Sequence, residues 1–505
     1  MKKKNFGKSV SLVLSAALTV TMGGFPVSAE NMDEGYETSF MAEEVASEDA
    51  ASQKEEPVQE TGTETEENTV ASQEEQETDF FFGDAEEFDA EDFVSEDSVP
   101  LEEFDSESNL STVQAGTLSE VYLDPANGND GNNGENAGAA VKTYDHAKEL
   151  LNENEDNGII YLLSTLEFES SGRVYQVENV EFKPVDSSLA ELIHVKPNAN
   201  VIFSHVKASG SYLDDSEKNS KYPILIEGNM TIKDNSVIGP FPGQGNVHVK
   251  AGTLKLMSGE IIGTGDPAYR TNDSCGVYVT NKASVNMSGG VIRDHVCNFG
   301  AGMQVWNEST VTLTGGEIKN NVGGLGGGIY VNESKLIMNA PENGNGCLIS
   351  DNKVVDTASY TGRMGGGILI MNGSSATITG GSISGNEAAV GGGMAIYGST
   401  VEFGENAVIE NNTASLSGAG MEVSKDGTKI PKIELTGGKI INNFRSNECG
   451  TELNAIMLAD GLCGKYIIYV SGMPEITGEI ELQDSEDSSP MLYVKGNFNP
   501  VNPLN

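Results

Sequence analysis

From about residue 118 onward, apolar and polar residues alternate in short runs, and glycine or asparagine separates each run from the next. One unit reads GGEIKNN from Gly315, GGGIYV from Gly326 and SKLIM from Ser334. Alternation with a period of two predicts half-buried β-strands, whereas an amphipathic helix would place its apolar residues three or four apart.

The unit recurs along the chain, which is typical of a repeat protein. With the copy at Ile318, the IxxN-like elements start 26 to 34 residues apart, at Ile261, Ile292, Ile349, Ile383, Ile409 and Ile440. One unit is too small to enclose a core, so its aliphatic residues are buried only if units stack. Three strands per turn, stacked so that like positions align, predict an all-β parallel β-helix.

The alternation also predicts which side chains face the core. One repeat position is aliphatic throughout, in Val277, Met303, Ile329, Ile368, Met394 and Met421. The position two residues later is equally aliphatic, in Val279, Val305, Val331, Ile370, Ile396 and Val423. Both columns are expected to point inward, because successive side chains of a strand alternate between its faces.

The residues between and after these columns are expected to point outward. The first outward row reads Tyr278, Gln304, Tyr330, Leu369, Ala395 and Glu422, and the second reads Thr280, Trp306, Asn332, Met371, Tyr397 and Ser424. We expect Tyr278, Trp306 and Tyr330 to form one exposed aromatic face that suits the apolar faces of sugars. Arginines near the corners would border it, namely Arg270, Arg293 and Arg363. The alternative is aromatic packing beneath a loop.

An asparagine recurs at one corner of the repeat, in Asn321, Asn352, Asn386, Asn412 and Asn443. Stacked amides can hydrogen-bond along the coil, so this column is expected to be structural. At one rung His295 replaces the asparagine. It either completes the column or takes part in acid–base chemistry with Arg293 and Asp294.

The first 117 residues differ in composition from the repeats. Residues 1–29 have the order of a signal peptide, with basic residues at Lys2 to Lys4, an apolar run and small residues before position 30. Residues 30–117 are rich in Glu, Ser, Thr and Gln, and we expect a disordered acidic tether there. The β-helix is expected to occupy 118–505. This organisation predicts an extracellular protein, either secreted or at the cell surface.

The chain carries 76 acidic and 30 basic residues, a formal net charge of −46. Without a basic surface to release counterions, nucleic acid and anionic lipid are not expected as partners, and no membrane insertion is expected after signal removal. The five cysteines show neither zinc-finger nor CxxC spacing. Buried thiols are the simpler interpretation, although Cys449 and Cys463 offer a possible bridge.

Residues 121–125 (VYLDP), 128–130 (GND) and 141–143 (VKT) resemble the first rung of many bacterial right-handed β-helix proteins. The GGxI and IxxN repeats are similar to those of polymorphic outer-membrane proteins and of large surface proteins of Firmicutes. The resemblance implies a right-handed parallel β-helix of the pectin-lyase-like kind. Residues 143–151 (TYDHAKELL) are expected to form a helical cap, because the end of a coil exposes an unpaired edge. The fold implies no single function, since it serves lyases, glycosidases and adhesins alike.

Candidate catalytic residues lie on neighbouring loops. A polyuronate lyase needs carboxylates that converge on calcium and a basic residue nearby. The candidates are Asp266, Arg270, Asp273, Arg293, Asp294 and His295. Calcium is also conceivable at residues 124–135 (DPANGNDGNNGE), but the spacing departs from an EF-hand loop and suits consecutive tight turns. No metal or other cofactor is predicted.

Three functions remain open at this point. The first is a binding module that presents a repetitive face to an extracellular polysaccharide, a host glycan or a host surface protein. The second is a polysaccharide lyase or glycosidase that uses the region from Asp266 to His295. The third is a structural spacer without a ligand.

Overall fold

A computed structural model describes residues 21–22, 25–26, 116–152, 158–186, 188–210, 222–342, 344–357, 362–447, 450–459, 468–482 and 492–494. The predicted signal peptide and acidic tether lie almost wholly outside these residues. Within the first 31 residues, Thr21–Met22 and Phe25–Pro26 pair as two short antiparallel strands.

The described residues from 116 onward form an all-β parallel solenoid of about 11 turns, which confirms the predicted stacking of repeats. The first of its three sheets carries the SKLIM-like and IxxN-like runs. Its strands are Glu120–Leu123, Gly158–Leu162, Val174–Pro184, Asn200–Ala208, Asn229–Lys233, Val237–Ile238, Thr253–Leu256, Glu260–Ile262, Ser284–Arg293, Thr310–Lys319, Lys335–Met338, Leu348–Ser350, Ser375–Ser384, Thr400–Glu410, Lys432–Leu435, Lys439–Ile441, Ile468–Val470, Glu475–Ile476 and Leu492–Val494.

The second sheet carries the glycine-led runs. Its strands are Leu166–Phe168, Ile193–Val195, Ile224–Ile226, Val247–Val249, Val277–Val279, Met303–Val305, Ile329–Asn332, Ile368–Met371, Met394–Tyr397, Met421–Ser424, Gly450–Leu458 and Glu479–Leu482. Each pairs in parallel with the next, so that Val277 lies beside Met303 and Met303 beside Ile329. Like positions of successive repeats therefore stack in register.

The third sheet is shorter and follows the asparagine corner. Its strands are Val322–Gly323, Lys353–Val354, Glu387–Val390, Thr413–Ser417 and Phe444–Asn447. The last of these pairs antiparallel with the start of Gly450–Leu458, and so forms a hairpin.

The core fills the interior of the coil as the alternation predicts. Both predicted inward columns are buried, and Val277, Met303 and Ile329 are fully inaccessible to solvent. Burial of aliphatic side chains from adjacent rungs stabilises the stack at about 25 cal/mol per Å² of apolar surface. No rung can achieve that burial without its neighbours.

Glycines occupy corners where a side chain has no room. Gly316 has a φ of 85°, and a Cβ there would lie 2.6 Å from Met287 Cε. Gly328 precedes the second sheet, and its Cβ would lie 2.6 Å from the Gly367 carbonyl oxygen. The repeated glycines thus allow backbones of adjacent rungs to approach closely.

The asparagine column is buried and continuous, as predicted. Asn352 Nδ2 donates to Asn386 Oδ1 at 3.0 Å, and Asn386 Nδ2 donates to Asn412 Oδ1 at 2.9 Å. The same side chains also donate to backbone carbonyls, as Asn386 does to Ile349 at 2.9 Å. Each amide therefore joins neighbouring rungs and satisfies backbone groups at the corner.

A helix is present where one was predicted, at Tyr144–Leu150. Thr143 begins it as the N-cap, with its Oγ1 accepting from the His146 amide at 3.3 Å. Ala147 and Leu150 are its buried residues. Short 3₁₀ turns occur at Ala137–Ala139 and Pro267–Tyr269. In the part of the chain that the structure describes, no helix has the length and apolar content needed to span a membrane.

Candidate functional site

The outer face of the second sheet changes character along the coil. Over the first rungs its outward residues are partly accessible to solvent, and we call them the open face: Glu167, His194, Leu225, His248 and Tyr278. From the next rung the outward residues are buried, in the order Gln304, Tyr330, Leu369, Ala395 and Glu422. The residues of the first predicted outward row therefore lie side by side on successive rungs, as expected. All of them after Tyr278 are buried.

A second hydrophobic cluster accounts for the covering. It lies outside the coil, and we call it the outer cluster: Phe299, Leu325, Tyr330, Met364, Leu369, Met371 and Ala395. Phe299 pairs with Leu325 across rungs in the segments that lead into the glycine-led strands. These segments pass over the outward row and bury it.

The expected exposed aromatic face is consequently wrong for Tyr330. That side chain is fully buried; its ring lies 5.9 Å from Phe299 and 5.2 Å from Trp306, and its hydroxyl contacts Met371 Sδ at 3.1 Å. Trp306 packs against the outer cluster and is half-buried. Packing beneath a loop, the alternative interpretation, describes Tyr330. Only Tyr278 of the three remains on the open face.

On the open face Tyr278 stacks with His248 instead. Their ring centroids are 4.8 Å apart with planes 29° from parallel, and buried Tyr222 lies 5.7 Å from Tyr278. His248 Nε2 is hydrogen-bonded to Thr280 Oγ1 at 2.9 Å. Burial, with help from Lys250, lowers the pKa of His248 to about 4, and burial raises the pKa of Tyr278 to about 12. Both rings are therefore uncharged near neutral pH.

Charged groups border these rings. His194 Nε2 lies 2.9 Å from Glu227 Oε2, and Lys250 Nζ lies 3.0 Å from Glu227 Oε1. Lys196 follows His194 by two residues, and its Nζ lies 2.7 Å from Glu167 Oε1. Hydrogen bonding to Lys250 lowers the pKa of Glu227 despite its partial burial. The open face thus combines flat rings with hydrogen-bond donors and acceptors.

His295, a candidate acid–base residue, is part of the asparagine column. Its backbone amide donates to Asn321 Oδ1 at 3.0 Å, and its ring Nε2 donates to the Ile261 carbonyl at 3.2 Å. The side chain is buried, and burial lowers its pKa to about 4. It borders a narrow cleft with room for about one water molecule.

The other catalytic candidates have separate structural partners. Arg293 ends a strand of the first sheet and pairs with Glu260 at 2.7 Å and with Asp294. Arg270 donates to the Cys297 carbonyl at 3.2 Å. Asp266 caps the 3₁₀ turn by accepting from the Ala268 amide, and Asp273 donates through its own backbone amide to Thr271. Arg363, predicted as a ligand-binding residue beside the aromatic face, has its Nε 3.0 Å from Asp356 Oδ1. These contacts do not gather the carboxylates around one arginine.

The loop at residues 124–135 forms tight turns. Asp130 Oδ1 accepts from the Lys142 and Thr143 amides at 2.8 and 2.9 Å, and Asp124 Oδ1 accepts from Ser164 Oγ at 2.6 Å. These carboxylate oxygens are therefore engaged in structural hydrogen bonds. Among the described residues, no group of three or more His, Cys, Asp or Glu side chains is placed to hold a metal ion.

Sequence reasoning missed His248 and His194. The runs IHV at Ile193, ILI at Ile224 and VHV at Val247 have the same alternation as later repeats but lack a glycine directly before the strand. Extension of the outward row backwards through these runs would have found both imidazoles. It also missed the buried contact of Cys275 with Cys297, for which the sequence spacing gives no signal.

Comparison of the chain with protein families, curated proteins and solved structures finds no match. The chain is therefore classified from its structure alone. It is a parallel β-solenoid, and the outer face of its second sheet has one open stretch and one covered stretch.

Proposed function

We propose that this chain is an exported protein, secreted or held at the cell surface, that binds an extracellular polysaccharide or host glycan along the open face. The observation that carries the proposal is the partly exposed stack of His248 on Tyr278. Uncharged flat rings suit the apolar face of a sugar ring, and neighbouring polar groups suit its hydroxyls.

The arrangement of the open face supports a polymeric ligand. Its residues repeat at the strand spacing of about 4.8 Å, so equivalent side chains follow one another along the coil. The row beside it alternates in chemistry from Lys196 to Glu227, Lys250 and Thr280, each joined by a backbone hydrogen bond to the rung before. Acidic and basic groups side by side favour hydroxyl-rich ligands over strongly charged ones.

The handedness of the coil and the capping role of its helix are part of the same proposal. We propose a right-handed coil of the pectin-lyase-like kind, like the surface proteins of Firmicutes that the repeats resemble, since parallel crossovers are almost always right-handed. The helix Tyr144–Leu150 is proposed as a cap, and its burial of Ala147 and Leu150 supports that role. Export is supported by the signal-peptide pattern of residues 1–29.

A glycan array followed by calorimetry tests the proposal with the full chain. Tyr278→Ala and His248→Ala are each expected to weaken binding of the selected glycan about 2- to 12-fold, the equivalent of about 0.5–1.5 kcal/mol for a ring contact. Tyr161→Ala is the matched control, because Tyr161 stacks on Tyr122 at 5.1 Å on the first sheet and is also partly exposed.

Other outcomes separate the alternatives. Binding that both open-face variants leave unchanged would place the glycan elsewhere, and a chain that binds no glycan would be a spacer. Release of reducing sugar or unsaturated product, abolished by Arg270→Ala and Asp294→Ala, would indicate a glycosidase or polysaccharide lyase.

A further inference from the structure

Two cysteines that are distant in sequence meet beneath the surface of the coil. Cys275 and Cys297 are both fully buried, and they share a small cluster with Tyr222 and Ala301. The segments that carry them lie on adjacent rungs: Thr271 pairs with Cys297, and the Gly276 amide donates to the Ala301 carbonyl. The two thiols lie close enough that each shifts the pKa of the other.

We propose that Cys275 and Cys297 form a disulfide bond between adjacent rungs when the protein meets an external disulfide, either a small molecule or a disulfide oxidoreductase. The two cysteines share one buried cluster, and their segments lie side by side on adjacent rungs, which is the arrangement that a disulfide between rungs requires.

The surroundings of the two thiols differ, and the difference indicates which one reacts first. Cys297 Sγ accepts from Gln304 Nε2 at 3.4 Å, and its thiol lies 3.4 and 3.3 Å from the carbonyls of Thr271 and Asn272. Burial opposes its ionisation, but hydrogen bonds from Cys275 and from the Phe299 amide hold the pKa of Cys297 below its usual value. Burial raises the pKa of Cys275.

The chemistry is a balanced exchange. The Cys297 thiolate attacks one sulfur of the external disulfide, which forms a mixed disulfide and releases one external thiolate. The Cys275 thiol then loses its proton to solvent, and its thiolate attacks Cys297 Sγ of the mixed disulfide. The Cys275–Cys297 bond forms as the bond to the external sulfur breaks, and the second external thiolate leaves. One protein disulfide and two external thiols result. Access is through the turn at Thr271 to Ser274, where Asn272 is exposed, because local opening of this turn uncovers Cys297.

The test uses the full chain and oxidised glutathione as the probe. The chain is incubated with it in urea below the unfolding transition, alkylated after denaturation and mapped by mass spectrometry. We expect a linked peptide pair that contains Cys275 and Cys297, two fewer alkylated thiols and a melting temperature raised by a few degrees. The melting temperature rises because an added covalent link restrains the unfolded chain. Dithiothreitol should reverse all three changes, because it reduces the disulfide.

Matched variants assign the change in melting temperature. Cys275→Ala and Cys297→Ala should lose the response to oxidised glutathione, whereas Cys347→Ala, at a buried thiol elsewhere in the core, should keep it. The peptide map of the wild-type chain tests for the disulfide even if a variant fails to fold. Recovery of Cys275 and Cys297 as alkylated thiols, as lasting glutathione adducts, or linked to other cysteines would overturn the proposal.

Discussion

The backbone amide of His295 donates to Asn321 Oδ1 at 3.0 Å, and Asn321 Nδ2 donates in turn to Asn352 Oδ1 at the same distance. An imidazole therefore heads a column of buried amides. Its ring Nε2 reaches the Ile261 carbonyl, as Asn321 Nδ2 reaches the Ile292 carbonyl on the next rung at 3.2 Å. His295 thus performs the hydrogen bonding of the asparagines with a group that can be protonated.

His295→Asn should make the fold more resistant to acid. The pKa of His295 is lowered from 6.5 to about 4 by burial. Between these pH values the unfolded chain binds a proton that the folded chain rejects, so the free energy of unfolding falls as pH decreases. The loss approaches about 3 kcal/mol near pH 4. The asparagine variant has no such group and should avoid this loss.

Urea unfolding at pH 7 and pH 4.5 measures the effect. At pH 7 the variant and the wild type should differ by less than about 1.5 kcal/mol, because the substitution conserves the polar contacts. At pH 4.5 the variant should be the more stable. An equal loss of stability in both proteins on acidification would mean that His295 is not buried in its neutral form.

Asn386→Ala should lower the free energy of unfolding by roughly 1–3 kcal/mol, because buried partners lose their hydrogen bonds. Asn386 Oδ1 accepts from the Asn352 amide and side chain, both at 3.0 Å, and its Nδ2 donates to Asn412. Asn406→Ala, at an exposed asparagine, is the control and should change stability by less than about 0.5 kcal/mol. Equal denaturation midpoints for the two variants would contradict a buried amide column. Glycan binding should be unchanged by either.

Glu422→Gln should stabilise the protein increasingly as pH rises. Glu422 is buried beside Ala395 in the second sheet, and its Oε2 lacks a hydrogen-bond partner among the described residues. Burial raises its pKa to about 8 from 4.5, so the folded chain keeps a proton that the unfolded chain has lost. Between pH 4.5 and pH 8 the wild type therefore loses stability as pH rises, by up to about 4 kcal/mol.

The variant stays uncharged over this range, so its advantage should be small at pH 5 and largest at pH 8. Thermal melting of both proteins at these two pH values is sufficient. A constant difference between them would show that the Glu422 carboxyl does not change its protonation on unfolding.

Tyr330→Ala should destabilise the fold by about 3–5 kcal/mol, as expected for removal of a fully buried aromatic ring. Tyr330→Phe, the matched control, keeps the ring but removes the hydroxyl that contacts Met371, and should cost about 1 kcal/mol. Urea denaturation of both variants gives the comparison. A near-wild-type urea denaturation curve for Tyr330→Ala would mean that the Tyr330 side chain is exposed to solvent.

The interior of the coil could be predicted from the sequence because it depends on local alternation. Val277 and Met303 occupy equivalent positions of a repeat, and burial of one implies burial of the other. The asparagine column follows from the same reasoning, since an amide at one corner of every rung finds an amide above it. The repetition in the sequence is therefore sufficient to predict both the core and the column.

The outer surface could not be predicted in the same way. Alternation shows that Tyr330 points away from the core, but it does not show what lies above. Phe299 and Leu325 sit in segments between strands, where no periodicity reveals their direction. The contact of Cys275 with Cys297 likewise depends on how two loops turn on neighbouring rungs. Such loop-dependent contacts require the folded chain.

The in-register asparagine column bears on how the length of such a gene product can vary. A rung inserted between Asn352 and Asn386 would meet an amide donor on one side and an amide acceptor on the other, as the present rungs do. Duplication of a DNA segment that encodes one whole repeat would therefore lengthen the molecule without a mismatched junction. Deletion of a whole repeat would be equally smooth. Natural variation is thus free to adjust this protein in steps of one rung.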